Sequence, residues 1–234
     1  MTHIAIDIDG TITGERNRNV FAQVCNETWQ LGIEDERLMM LDYHRLFAQP
    51  ELVTYRQKVG EASFQYELGW INLDPRVLVS LDPAPGAAES IKRLEVMGSV
   101  AYYTARYVAQ LPEKSQAMAE ATKQWLHEQG FPQAASVIFC ESPKEKLALL
   151  AHQLTTEAQA IVMIDDRYPK LLEVIAAFDQ ARQAILRRFL TLVAFGAETP
   201  PEECHGVRVI PFASWRHIDT LMDCCFVVPS EHRR

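Results

Sequence analysis

The chain has 234 residues, 48% of them hydrophobic and 23% charged, with a formal net charge of −8. This usage is close to the globular average and excludes a disordered, collagen-like or membrane-spanning chain, and the length fits one mid-sized domain or a core carrying a smaller insert. The acidic balance opposes non-specific attraction to duplex nucleic acid and favours small ligands.

The opening segment MTHIAIDIDG lacks the basic stretch, long apolar run and cleavage site of a signal peptide, and no apolar run reaches bilayer length. A cytoplasmic protein without a membrane partner is expected. Residues 3–9 alternate Ile4, Ile6 and Ile8 with Ala5, Asp7 and Asp9, the period of a strand leaving the core, so the first strand ends in carboxylates. Residues 16–82 then carry helical patterning, several aromatics and no clear strand. They read as an inserted helical module, because a structureless loop of that length is improbable in a compact domain. Thr13-Gly14 and the turn-rich segment Asp82-Pro-Ala-Pro-Gly86 supply its two connections to the core. From residue 87 onward, helical patterns at 87–97, 113–129 and 143–153 alternate with short apolar runs at 100–103, 137–140 and 161–164, which read as strands buried on both faces. A helix over 168–190, strands near 192–195 and 207–210 and a closing helix over 214–223 continue the pattern, which predicts an α/β fold with a parallel sheet. The five cysteines form no CxxC pair and read as free thiols, and the seven histidines show no metal spacing.

In a parallel sheet the ligand sits beyond the carboxyl ends of the strands, and the unusual polar residues of this chain gather there. Asp7 and Asp9 follow the first strand, Thr104 the second, the segment 142–146 the third and Asp165-Asp166 the fourth. Adjacent carboxylates need a cation, and a hard, oxygen-loving Mg²⁺ suits a cluster made of Asp7, Asp9, Asp165 and Asp166. With a hydroxyl from Thr104 and a lysine, such a site suits phosphoryl transfer, which needs positioning and charge neutralisation above all. Ser142-Pro143-Lys144-Glu145 has the form of a helix start, so Lys144 and Lys146 both fall in its first turn. Lys146 directly precedes the apolar pattern of Leu147, Leu150 and Leu154 and is preferred, with Lys144 as the alternative.

These residues carry a family likeness. Asp7-Ile8-Asp9-Gly10-Thr11, Tyr103-Thr104-Ala105-Arg106, the lysine and Ile164-Asp165-Asp166 resemble, in order, the four motifs of the haloacid dehalogenase superfamily. The resemblance implies a Rossmann-like three-layer α/β/α core (residues 1–15 and 83–234), with residues 16–82 standing where the family carries a helical cap. It also implies a covalent aspartyl-phosphate on Asp7, acid/base work by Asp9, phosphate binding by Thr104, Ala105 and Lys146, and Mg²⁺ held by Asp7, the Asp9 carbonyl and Asp165, with Asp166 beside them. An aspartate two residues after the nucleophile favours hydrolysis of a small phosphate monoester, such as a nucleotide or sugar phosphate, over dehalogenation. A phosphomutase and a catalytically silent, ligand- or protein-binding member are the alternatives. Substrate choice is expected from the insert, with Arg45, Tyr55, Arg56 and Tyr66 as candidates to face the cleft.

Overall fold

The computed structural model describes residues 2–157 and 159–226. Residues 1, 158 and 227–234 of the expected core lie outside the described residues. Six strands form one parallel sheet: β1 (Thr2–Asp7), β4 (Gly98–Thr104), β5 (Val137–Phe139), β6 (Ile161–Asp165), β7 (Leu190–Phe195) and β8 (Arg208–Phe212). Their spatial order is β5-β4-β1-β6-β7-β8. Numbered along the chain this is 3-2-1-4-5-6, so the winding reverses between β1 and β6, where a doubly wound sheet opens a crevice. The register sets the strand ends level, with Asp7 beside Tyr103 and Ile6 beside Ile164.

The two-residue period of β1 divides the core. Ile4 and Ile6 pack with α7 (Ala87–Glu95), α8 (Pro112–Glu128) and α12 (Ile218–Phe226) through Ile91, Trp125 and Leu221. Ala5 points to the opposite layer, made by α9 (Pro143–Glu157), α10 (Tyr168–Ala176) and α11 (Gln180–Phe189). Each fully buried Ile or Leu in these layers stabilises by roughly 1.5–3 kcal/mol. A strand covered on both faces must be apolar along its length, which is why β6 runs Ile161-Val-Met-Ile164 before it ends in Asp165.

The segment expected as one helix over 168–190 is two. Asp179 caps α11 by accepting the Arg182 amide, while the Gln183 side chain donates to the carbonyls of Ala176 (3.0 Å) and Phe178 (2.8 Å) at the end of α10. The break is a capping effect that the hydrophobic pattern, continuous across it, does not reveal.

Residues 17–80 form six helices: α1 (Arg18–Trp29), α2 (Asp35–Met39), α3 (Tyr43–Phe47), α4 (Pro50–Val59), α5 (Glu61–Asn72) and α6 (Pro75–Val79). They enclose their own core, which includes Phe21, Trp29, Leu52, Phe64 and Val77. The root of this module departs from the expectation that it contains no strand. β2 (Thr13–Arg16) and β3 (Leu81–Pro83) pair antiparallel, Thr13 opposite Pro83 and Arg16 opposite Leu81, so the two connections form one hydrogen-bonded ribbon. Leu78 of α6 joins the core cluster, and the Trp125 indole donates to the Leu81 carbonyl at 2.6 Å.

Candidate active site

The sequence after β1 turns sharply at Gly10, whose φ of +78° is open to glycine and strained for other residues. A side chain there would also collide with the Asp166 carboxylate. The turn returns Thr11, fully buried, beneath the strand ends, where its hydroxyl accepts the Asp166 amide at 3.0 Å and faces carboxyl oxygens of Asp7 and Asp166 at 3.5 and 3.4 Å. Thr11 thereby joins the first and fourth motifs mechanically.

One oxygen from each of Asp7, Asp165 and Asp166 lies within 4.8 Å of the others. At about 5 Å and an effective dielectric of about 20, each pair of like charges repels by about 3 kcal/mol. Lys146 answers part of this. Its ammonium donates to Asp7 Oδ1 at 2.5 Å and Asp165 Oδ2 at 3.0 Å, and all three side chains are buried. Burial works against the lysine's charge, but Asp7 and Asp165 outweigh it and raise its pKa. Burial first, then Asp165, pushes the Asp7 carboxyl well above its ordinary range despite Lys146, and burial with Asp165 also raises Asp166. Three carboxylates against one ammonium leave an excess of negative charge that a divalent cation would relieve, so the donor set fits Mg²⁺.

Asp9 stands apart from that cluster. Its carboxylate accepts from Thr104 Oγ1 at 3.0 Å and from the Arg106 guanidinium at 2.5–3.1 Å. Burial works to raise its pKa, but Arg106 and then Thr104 outweigh it and hold the carboxyl below its ordinary range. The Asp9 side chain therefore does not join Asp7, Asp165 and Asp166 as a cation ligand; its backbone carbonyl is the atom the family likeness assigns to the ion.

These groups border a cavity of about 190 Å³ whose walls include Asp7, Asp9, Ala105, Lys146 and Asp165. Thr104 lies beneath it, fully buried and spent on Asp9. Lys144, the alternative lysine, is exposed on α9 while Lys146 reaches the centre. Arg106 and Arg167 also line the cavity, although neither has a role in the sequence reading. Arg106 sits in the second motif itself, two residues after Thr104; that position is its signal in the sequence, and its burial beside Asp9 comes from the packing.

The four specificity candidates do not line this cavity. Arg45 is 72% exposed and pairs with Asp42, and Arg56 pairs with Glu61 at 2.6 Å. Tyr55 stacks on Trp29 and donates to Glu67 at 2.6 Å, and Tyr66 is 67% exposed, edge-on to Trp70. Their partners lie within the insert because a small helical module must satisfy its own aromatics and charges first. Among the described residues, Leu73, just past α5, is the insert residue that lines the cavity.

No family model matches the chain, and no curated protein matches it. Solved structures are similar over most of its length. A HAD family hydrolase from Deinococcus radiodurans R1, with bound phosphate and sodium, is 12% identical, covering 97% of this chain and 98% of its own, with a TM-score of 0.46. A HAD-superfamily hydrolase, subfamily IA, from Geobacter sulfurreducens PCA is 12% identical over 95% of this chain and 96% of its own, at 0.46. A haloacid dehalogenase-like family hydrolase from Xanthomonas campestris is 13% identical over 96% of each chain, at 0.42. Fold and site define a doubly wound parallel α/β protein with an aspartate centre at its switch point and a helical insert after the first strand. The order and placement of its four motifs resemble those of the haloacid dehalogenase superfamily.

Proposed function

We propose that this protein is a Mg²⁺-dependent phosphatase of the haloacid dehalogenase superfamily, acting on a small phosphorylated metabolite of the cytoplasm, with residues 16–82 as its cap. The observation that supports the reading is the division of four carboxylates into two groups: Asp7, Asp165 and Asp166 clustered together with Lys146 bonded to the first two, and Asp9 on Thr104 and Arg106.

Asp9, ionised beside Arg106 in the free protein, takes up a proton as the phosphate dianion enters the cleft; Asp7 then attacks phosphorus while the bond to the leaving oxygen breaks, and Asp9 passes that proton to the oxygen. Water then attacks the aspartyl-phosphate, Asp9 takes its proton, and the phosphorus–Asp7 bond breaks to release inorganic phosphate. Lys146 neutralises oxygens of the phosphoryl group, and backbone at Ala105 borders the same space. Mg²⁺ held by Asp7, Asp165, Asp166 and the Asp9 carbonyl would neutralise the phosphate and orient it toward Asp7. The Asp9 side chain is half exposed in the cleft, which supports access of water and so hydrolysis over a mutase. A panel of phosphate monoesters assayed with Mg²⁺ and with chelator tests the reading. Turnover with Mg²⁺ and its loss on chelation is expected; full activity in metal-free buffer, or no turnover of any ester, refutes it.

A further inference from the structure

Arg106 is 1% exposed, although its carboxylate partner is half open to the cleft. Burying a guanidinium is expensive, and an apolar residue of similar volume often serves stability as well or better. The arginine's donors are committed to two residues. Its Nε lies 3.1 and 3.0 Å from the two oxygens of Asp9, one terminal nitrogen lies 2.5 Å from Oδ1, and the other donates to Thr122 Oγ1 at 2.9 Å. Thr122 is fully buried on α8 and donates in turn to the Met118 carbonyl at 2.7 Å. The guanidinium is thus tethered to a helix beneath the cleft, and Thr104 adds a further bond to Asp9 from β4 at 3.0 Å.

Asp9 lies two residues from Asp7, and free of these bonds its carboxylate would be drawn to the ion that Asp7, Asp165 and Asp166 would hold. Additional carboxylates raise cation affinity, and a carboxylate bound to the ion is lost as a proton carrier. We infer that Arg106 is a positioning residue that sorts the four carboxylates, pinning Asp9 to the β4 side of the cleft and keeping it out of the cation cluster. The inference rests on the phosphatase reading for the role of Asp9, but the sorting itself is a property of the four side chains.

Two measurements on the full chain test it, steady-state turnover of the best ester from the panel and Mg²⁺ binding by calorimetry. Arg106→Ala is expected to lower kcat by about 100-fold with KM changed less than about threefold, the signature of a misplaced proton carrier. The same variant should bind Mg²⁺ tighter by about tenfold, because Asp9 is free to join the ion. In an Asp9→Asn background neither quantity should change further. Equal kcat losses in both backgrounds, or Mg²⁺ affinity unchanged or weaker in Arg106→Ala, overturns the inference and leaves Arg106 a residue of folding alone. If Arg106→Ala does not fold, Thr122→Val keeps charge and volume while cutting the tether, and the same paired shifts, smaller in size, are required of it. Should the unmodified protein turn over no ester, the phosphatase reading fails by itself, and the calorimetric comparison still decides whether Arg106 sorts the carboxylates.

Discussion

Replacing Lys146 with methionine keeps most of the side-chain volume and removes the one ammonium between Asp7 and Asp165. Both carboxylates are almost fully buried, at 5% and 1% exposure, so neither can turn to bulk water for compensation. Breaking a buried ion pair by removing one partner costs about 3–5 kcal/mol. At about 2–4 °C per kcal/mol for a chain of this size, the melting temperature in chelator at neutral pH should fall by about 10 °C. Mg²⁺ should return a larger share of stability to the variant than to the unmodified protein, since the ion takes over the neutralisation that the lysine supplied. Binding at about a hundred times the dissociation constant contributes about 2.7 kcal/mol. Thermal unfolding followed by circular dichroism, with chelator and with a Mg²⁺ series, measures both effects. A variant melting with the unmodified protein in chelator would refute the electrostatic account of this centre, as would Mg²⁺ stabilising both proteins equally.

Asp7→Asn should fold and be inactive, and reductive trapping with mass spectrometry should find phosphate on Asp7 of the active protein; an acyl-phosphate elsewhere would replace the mechanism. Gly10→Ala strains a left-handed turn and pushes the Asp166 carboxylate aside, so Mg²⁺ affinity measured by calorimetry should weaken by about tenfold or more. The pH dependence has a definite sign. Asp166 is raised in the folded state, so its contribution to metal-free stability is full below the ordinary carboxylate range and is lost as pH rises through its folded value. Asp166→Asn should therefore stabilise the metal-free protein increasingly from acid toward neutral pH, and a constant offset in melting temperature would contradict it. Asp9 is lowered and works the other way, contributing above the ordinary range and losing that contribution as pH falls, so Asp9→Asn should flatten the acid limb of the same profile.

The chain's own pattern determined the alternation of strands and helices, the place of the helical insert and the collection of polar residues at strand ends. These are local properties. A run such as Ile161–Ile164, apolar throughout and bounded by turn residues, reads as a strand covered on both faces, and Asp7, Thr104 and Asp165 inherit their place from the strands they end. Helix boundaries were less legible where a cap interrupts a continuous apolar pattern, as Asp179 does between α10 and α11.

Only the tertiary structure decided which distant groups meet. Lys144 and Lys146 sit about 200° apart around one helix, and either satisfies the spacing; docking of α9 against β1 and β6 turns Lys146 to the two aspartates and leaves Lys144 in solvent. The insert shows the same limit from the other side. Its aromatics and arginines are legible as residues that need partners, but whether a partner is the cleft or a neighbouring helix depends on how six short helices close, and here they close on one another around Phe21, Trp29 and Phe64. Arg106 meets Asp9 across 97 positions of sequence and Thr122 across 16. Periodicity reports which face of an element is buried, whereas the partner of a buried charge is set by the packing of β1, β4 and α8 together, and that packing made Arg106 part of the site.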